Sequence, residues 1–253
     1  MTLIVTAITE MGILQVSDSN LTSVVDYRTS TGKKVFQLGF CPGALALSGS
    51  YSVGSARMDS WMPSAIETYA ATTAPTLGDF AQYLRDRLTE EGQGKVDLLI
   101  HIAGYAGDGG GTHPEMWFVR NFGGIDEVTG DYLDRADDFK ISEDFWARDY
   151  AAAREAGRQP GGPFRQWYFN GFPSGRISYN VLRQLLLGFF NLVWNHQDWR
   201  FRPPTTLEEL ALFMRLELNV VATLFNVSDY PAPFVGGEAQ VEAVPAPADS
   251  AAL

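Results

Sequence analysis

Apolar and polar positions recur with different periods along the chain, and each change of period marks an element. Residues 2–8 and 12–17 are short β-rich runs separated by Thr9-Glu10-Met11-Gly12, with Gly12 supplying the turn, and they predict an opening hairpin. A second pair of strands is predicted at 34–38 and 44–47, flanking Gly39-Phe40-Cys41-Pro42-Gly43, where two glycines and a proline mark a reversal. From about Ser52 the spacing turns helical: Met58, Trp61, Met62, Ile66 and Tyr69 recur at steps of three and four, and Pro63 kinks the helix or opens a new turn. Thr76 and Asp79 resemble a capping box ahead of the apolar face Phe80, Tyr83, Leu84 and Leu88, and Gly92 stops that helix.

The nearly continuous apolar runs 96–104 and 115–122, separated by the glycine cluster Gly107 to Gly111, read as strands buried in a sheet. Residues 123–168 mix acidic and basic side chains with Gly-Gly and Pro-Gly-Gly turns and an Ala-rich piece around Ala151, and predict an insertion with some helix. Helices follow at 177–194 and 206–225, the second opened by Thr-Leu-Glu-Glu, which suits N-terminal capping and the helix dipole. A last strand is predicted at 239–244, and the small, Pro/Ala-rich tail 245–253 is expected to be disordered.

Ribbons, two helices, more strands, two helices and a last strand imply helix pairs packed on sheets rather than an alternating βαβ wheel. The expected class is α+β, a four-layer αββα sandwich with two mainly antiparallel sheets flanked by helix pairs. At 253 residues the chain is read as one domain, 1–244, with the insertion at about 123–168.

Composition narrows the partners. Hydrophobic residues at 45% and charged residues at 19% suit a globular chain, and a net charge of -11 without a Lys/Arg run repels phosphate backbones and anionic lipid. The lone Cys41 excludes an intramolecular disulfide, and His101, His113 and His196 are too scattered for a metal-ligand motif. His101, within an apolar strand, reads as a hydrogen-bonded core histidine. No Gly-rich loop lies between a strand and a helix, so neither a nucleotide nor any other cofactor is expected. The N-terminus lacks a basic region and a long apolar run, and the apolar stretch 185–194 is short for a bilayer, so a cytoplasmic protein is expected.

Candidate chemistry comes from three places: Thr2 after Met1, Asp18 in VSDSNLT, and Lys34 in GKKVFQL. Taken singly, Asp18 suits a turn in Ser17-Asp18-Ser19-Asn20, and Lys34 suits a solvated strand edge. Together, counted from Thr2 as the first mature residue, they resemble the proteasome β-subunits and the peptidase subunit of the bacterial two-component ATP-dependent protease. These are N-terminal-nucleophile (Ntn) hydrolases. The segment Leu47-Ser48-Gly49-Ser50 resembles the family's Ser-Gly segment, and VGGEAQVEAV its closing Gly-Gly and last strand. The insertion points to an outlying bacterial branch similar to the ancestral β-subunit group.

The resemblance implies a threonine peptidase or amidase. Removal of Met1 makes the Thr2 amine the base for its own hydroxyl, Lys34 favours the alkoxide, Asp18 holds Lys34, and the Gly49 N–H receives the oxyanion. Gly49 equally suits close helix–sheet approach. By the same resemblance Ser174 and Asp229 orient the amine. Leu21, Phe36 and Leu47 line an apolar first pocket, and the Thr22 backbone pairs with an extended substrate. It also implies self-association into a ring or stacked rings and an ATPase unfoldase as partner. The alternatives are an inactive proteasome-like scaffold subunit and a small-amide hydrolase working as a free dimer.

Overall fold

The opening hairpin forms where the pattern places it, as β1 (Leu3–Thr9) and β2 (Gly12–Asp18), with Thr9 paired to Gly12 across a two-residue turn. The structure, a computed structural model, describes residues 2–23, 26–108, 111–126, 131–143, 165–194 and 202–247. After β2 come β3 (Asn20–Thr22), β4 (Thr29–Thr31), β5 (Val35–Gln37) and β6 (Gly43–Gly49), then a small hairpin of β7 (Ser52–Val53) and β8 (Ala56–Arg57). Helices α1 (Met58–Ala70) and α2 (Leu77–Gly92) lead into the long strands β9 (Leu98–Asp108) and β10 (Gly111–Arg120). The short strands β11 (Gly124–Ile125), β12 (Tyr132–Leu133) and β13 (Lys140–Glu143) precede β14 (Arg165–Gly171). Helices α3 (Pro173–Trp194) and α4 (Leu207–Asn226) and strand β15 (Ala239–Pro245) complete the described chain.

The class is mixed α+β, with four helices and several antiparallel sheets among the described residues. One sheet runs β14-β1-β2-β15 and another β13-β10-β9-β6-β5, every neighbouring pair antiparallel. Period-two alternation explains why β9 carries apolar residues on both faces. Leu98, Ile100 and Ile102 pack with α1 and α2, while Ala103 and Tyr105 pack with Ile8 and Ile13 of the first sheet. Helix α4 lies on β2 and β15, and its buried Leu210, Met214 and Leu218 join Leu3, Val5 and Leu14.

Local signals set both securely capped helices. Thr76 accepts from the Asp79 N–H at 3.1 Å and donates to that carboxylate at 2.9 Å, and Thr206 accepts from the Glu209 N–H at 3.2 Å. Other boundaries move. The first helix starts at Met58, not near Ser52, because 52–57 turn back as the β7–β8 hairpin, and it runs through Pro63. The glycines at 107 and 111 belong to β9 and β10, which extend beyond the predicted runs. Strand β14 occupies the end of the predicted insertion and pairs with β1 along its whole length, Leu3 opposite Gly171 and Thr9 opposite Arg165. The Ala-rich piece around Ala151 and the tail from 248 lie outside the described residues.

A polar chain joins the two sheets. The Thr6 hydroxyl donates to Gln15 Oε1 at 2.7 Å, so the Thr6 oxygen accepts from His101 Nδ1 at 2.7 Å, and His101 Nε2 accepts from Asn170 Nδ2 at 2.8 Å. This order requires a neutral imidazole, and burial pulls His101 down to about 3. The folded state therefore refuses a proton that the unfolded chain takes up below about 6.5, which costs about 5 kcal/mol by pH 3.

Buried Glu217 on α4 acts in the opposite direction. Burial pushes its carboxyl up to about 7, with Tyr179 and Arg183 pulling it back only in part, so folding gains stability as pH falls from about 7 to 4.5. The two effects offset each other between pH 6.5 and 4.5. Urea unfolding is expected to show parent stability nearly level across that window and falling below it, whereas Glu217→Gln declines steadily from pH 6.5. Parallel curves for the two proteins would contradict this assignment.

Candidate active site

Three strand ends meet at one point. Thr2 precedes β1 and its carbonyl accepts from the Phe172 N–H at 2.9 Å, which ties it to the end of β14. Asp18 closes β2, and the hairpin register puts it beside Leu3, whose N–H donates to Oδ1 at 2.9 Å. Lys34 stands just before β5, its N–H donating to Gln240 Oε1 at 2.7 Å and its carbonyl accepting from the Leu47 N–H at 3.0 Å. Its long side chain thereby runs inward, and Thr2, Asp18 and Lys34 are 2%, 1% and 1% exposed.

Lys34 Nζ lies 2.6 Å from Thr2 Oγ1 and 3.3 Å from Asp18 Oδ2, and it also donates to the Asn20 carbonyl. Asp18 Oδ2 further accepts from the N–H groups of Asn20 and Gly236, both at 3.2 Å. A charged Lys34 spends its three protons on these three acceptors, leaving the Thr2 proton free for a base. A neutral Lys34 accepts the Thr2 proton itself. Burial holds the Lys34 ammonium below the usual lysine range despite the attraction of Asp18.

Thr2 opens onto a cleft of ≈ 1450 Å³ that Gly49 and Ser50 also line. Gly49 ends β6 at φ +119°, and a Cβ there would stand 2.1 Å from the Asp97 carbonyl oxygen, so only glycine fits. Leu21 and Thr22, on β3, also line the cleft.

The other expected site residues lie elsewhere. Phe36 and Leu47 are buried in the core beneath α1 and α2 and do not line the cleft, because alternation along β5 and β6 turns them to the helix side while Val35 and Ala46 face the other sheet. Asp229 is exposed in the turn after α4, and Ser174, in the first turn of α3, pairs with the Tyr230 hydroxyl at 2.7 Å. Neither is hydrogen-bonded to Thr2, Asp18 or Lys34 in the described network, so the pair expected to orient the amine is not assembled. Tyr230, Phe172 and Phe234 instead make an aromatic wall of the cleft, with ring centroids 4.9–5.7 Å apart.

Sequence reading also missed the Asn20 carbonyl and the Gly236 N–H. Gly236 carried a signal in the closing Gly-Gly. A backbone carbonyl carries none, since every residue has one. Cys41 is no rival nucleophile, its thiol being pushed up to about 12 by burial and by Glu115. Among the described residues no group of three or more His, Cys, Asp or Glu side chains is placed to hold a metal ion, and no helix is long and apolar enough to cross a membrane. In comparisons with known proteins, no family model and no curated protein matches the chain.

Proposed function

We propose that this protein is a threonine-type Ntn hydrolase resembling the proteasome β-subunits, cleaving peptide or amide bonds through an acyl-enzyme on Thr2 once Met1 is removed. The observation that carries this reading is the 2.6 Å contact between Lys34 Nζ and Thr2 Oγ1, with Asp18 holding the lysine, at the rim of an open cleft. The finer architecture proposed with it is the four-layer αββα sandwich. It is supported by α1 and α2 packing on the β5–β6–β9 side, α3 and α4 on the β14–β1–β2–β15 side, and contacts between β2 and β6.

Freed of Met1, the Thr2 amine is the base beside its own hydroxyl, and it takes the hydroxyl proton as Oγ1 attacks the substrate carbonyl. The Gly49 N–H receives the developing oxyanion. Collapse breaks the C–N bond, and the Thr2 ammonium returns its proton to the departing amine. Water, deprotonated by the same amine, then attacks the ester and releases the acid.

Self-association into a ring is part of the proposal. Among the described residues, most of the exposed large apolar side chains stand on two adjacent helices, Ile177, Val181, Leu185, Phe189 and Leu192 on α3 and Leu212, Leu216 and Leu224 on α4. That surface equally supports the second reading, an inactive scaffold subunit of the same fold.

Intact mass after incubation with a β-lactone or epoxyketone probe separates the two. Loss of Met1 with a single adduct mapped to Thr2 is expected. Met1 retained with no adduct would replace the enzyme by the scaffold.

A further inference from the structure

Phe36 and Leu47, the expected floor of an apolar first pocket, are sealed from the cleft, and the side chain found at the cleft surface over their cluster is Tyr51. It follows Gly49 and Ser50 directly in the chain and lines the same cleft as both. Its tip packs against Gly32: a Cβ there would come 2.4 Å from Tyr51 Cζ and 2.7 Å from Leu21 Cδ1. Its hydroxyl donates to the Lys33 carbonyl at 2.9 Å, and its own carbonyl accepts from the Met58 N–H at the start of α1. Arg57 stacks over the outer face, 5.1 Å from the ring centroid, and is itself held by Asp59 at 3.1 Å.

These contacts hold the ring at its hydroxyl end and on one face. They also place it against Leu21 and the Lys33 carbonyl, in the same cleft that Thr2 and Gly49 line and that would receive the substrate's acyl side chain. Gly32 is what allows the fit, since any side chain at that position displaces the ring.

We infer that Tyr51 is the specificity-determining residue of the Thr2 site, closing its first pocket so that the substrate's acyl residue is small, such as Gly, Ala or Ser. This inference rests on the proposed hydrolase. It replaces the apolar acyl residue that the resemblance implies by one without a bulky side chain. Removing the ring uncovers the Phe36–Leu47 cluster and creates the apolar pocket that the parent lacks.

The test compares parent, Tyr51→Ala and Tyr51→Phe on blocked peptide anilides differing only in that residue, Ala against Leu and Phe. Labelling of Thr2 by a β-lactone with a small side chain is followed in each protein. Parent and Tyr51→Phe are expected to favour Ala. Tyr51→Ala should shift the kcat/KM ratio toward Leu or Phe by about ten-fold or more while Thr2 is still labelled. A parent that prefers Leu or Phe, or an unchanged ratio in a Tyr51→Ala protein that labels, overturns the role of Tyr51 and leaves the hydrolase standing. Absence of labelling in every protein overturns both.

Discussion

Thr2→Ala is expected to lower kcat/KM by at least about 10³-fold and to abolish the probe adduct, with the fold intact. The substitution deletes Oγ1, the proposed attacking atom, and nothing else in the described network presents a hydroxyl to Lys34 Nζ. The structural cost is small. Thr2 Oγ1 is one of three acceptors for Lys34, and the Asp18 and Asn20 contacts survive, so the loss amounts to one hydrogen bond, about 1 kcal/mol. Thermal unfolding should therefore move by only a few degrees. Thr2→Ser keeps both the hydroxyl and the amine and should retain measurable turnover. An alanine variant that hydrolyses the substrate at the parent rate would remove Thr2 from the chemistry.

Lys34→Met is expected to abolish turnover and also to destabilise the protein, by about 3–5 kcal/mol, because it strips the counter-charge from a buried carboxylate. Asp18 would keep its three backbone donors, Leu3, Asn20 and Gly236, yet its negative charge would stand uncompensated at 1% exposure. Methionine preserves most of the lysine's length and apolar stem, so the loss reports charge rather than a cavity. Asp18→Asn provides the other edge of the cycle. Without the carboxylate, Lys34 is held only by neutral acceptors, and its ammonium falls further below the lysine range, since burial is then opposed by nothing. Pairing Lys34→Met with Asp18→Asn should recover much of the stability lost in Lys34→Met, while activity stays absent. Urea unfolding of the three variants measures the coupling. Full activity in Lys34→Met would refute its assignment.

The two measurements separate a catalytic lysine from a merely structural one. A structural Lys34 predicts the stability loss and its recovery in the double variant, with activity returning as the fold returns. A catalytic Lys34 predicts recovered stability and no turnover.

How much of this was legible depends on the range of the interaction concerned. The β1–β2 hairpin and the Thr76 and Thr206 caps are set by residues close together in the chain, and they appear at or within a residue or two of their predicted positions; β15 pairs with distant β2, yet its own alternating run Ala239–Val244 marked it. Strand β14 was hidden because its sequence, Arg165 to Gly171, has polar ends and glycine at its close, and its stability comes from pairing with β1, more than 150 positions away in the chain by its register. The 52–57 hairpin was taken for helix because Met58 and Trp61 begin a true helical spacing just beyond it.

The candidate site divides along the same line. By itself the sequence determined which residue types are available, a Thr next to the start, an acid closing the second strand and a base opening a later one, and it determined that these strands have two faces. Only the tertiary structure decided what covers each face. It brought Lys34 Nζ onto Thr2 Oγ1, turned Phe36 and Leu47 into the core beneath the helices, paired Ser174 with Tyr230 and set the tip of Tyr51 against Gly32. The physical reason is that a two-residue period fixes which side chains share a face, whereas the neighbour each face meets depends on how distant strands and helices stack, and that is settled by burying the whole apolar surface at once.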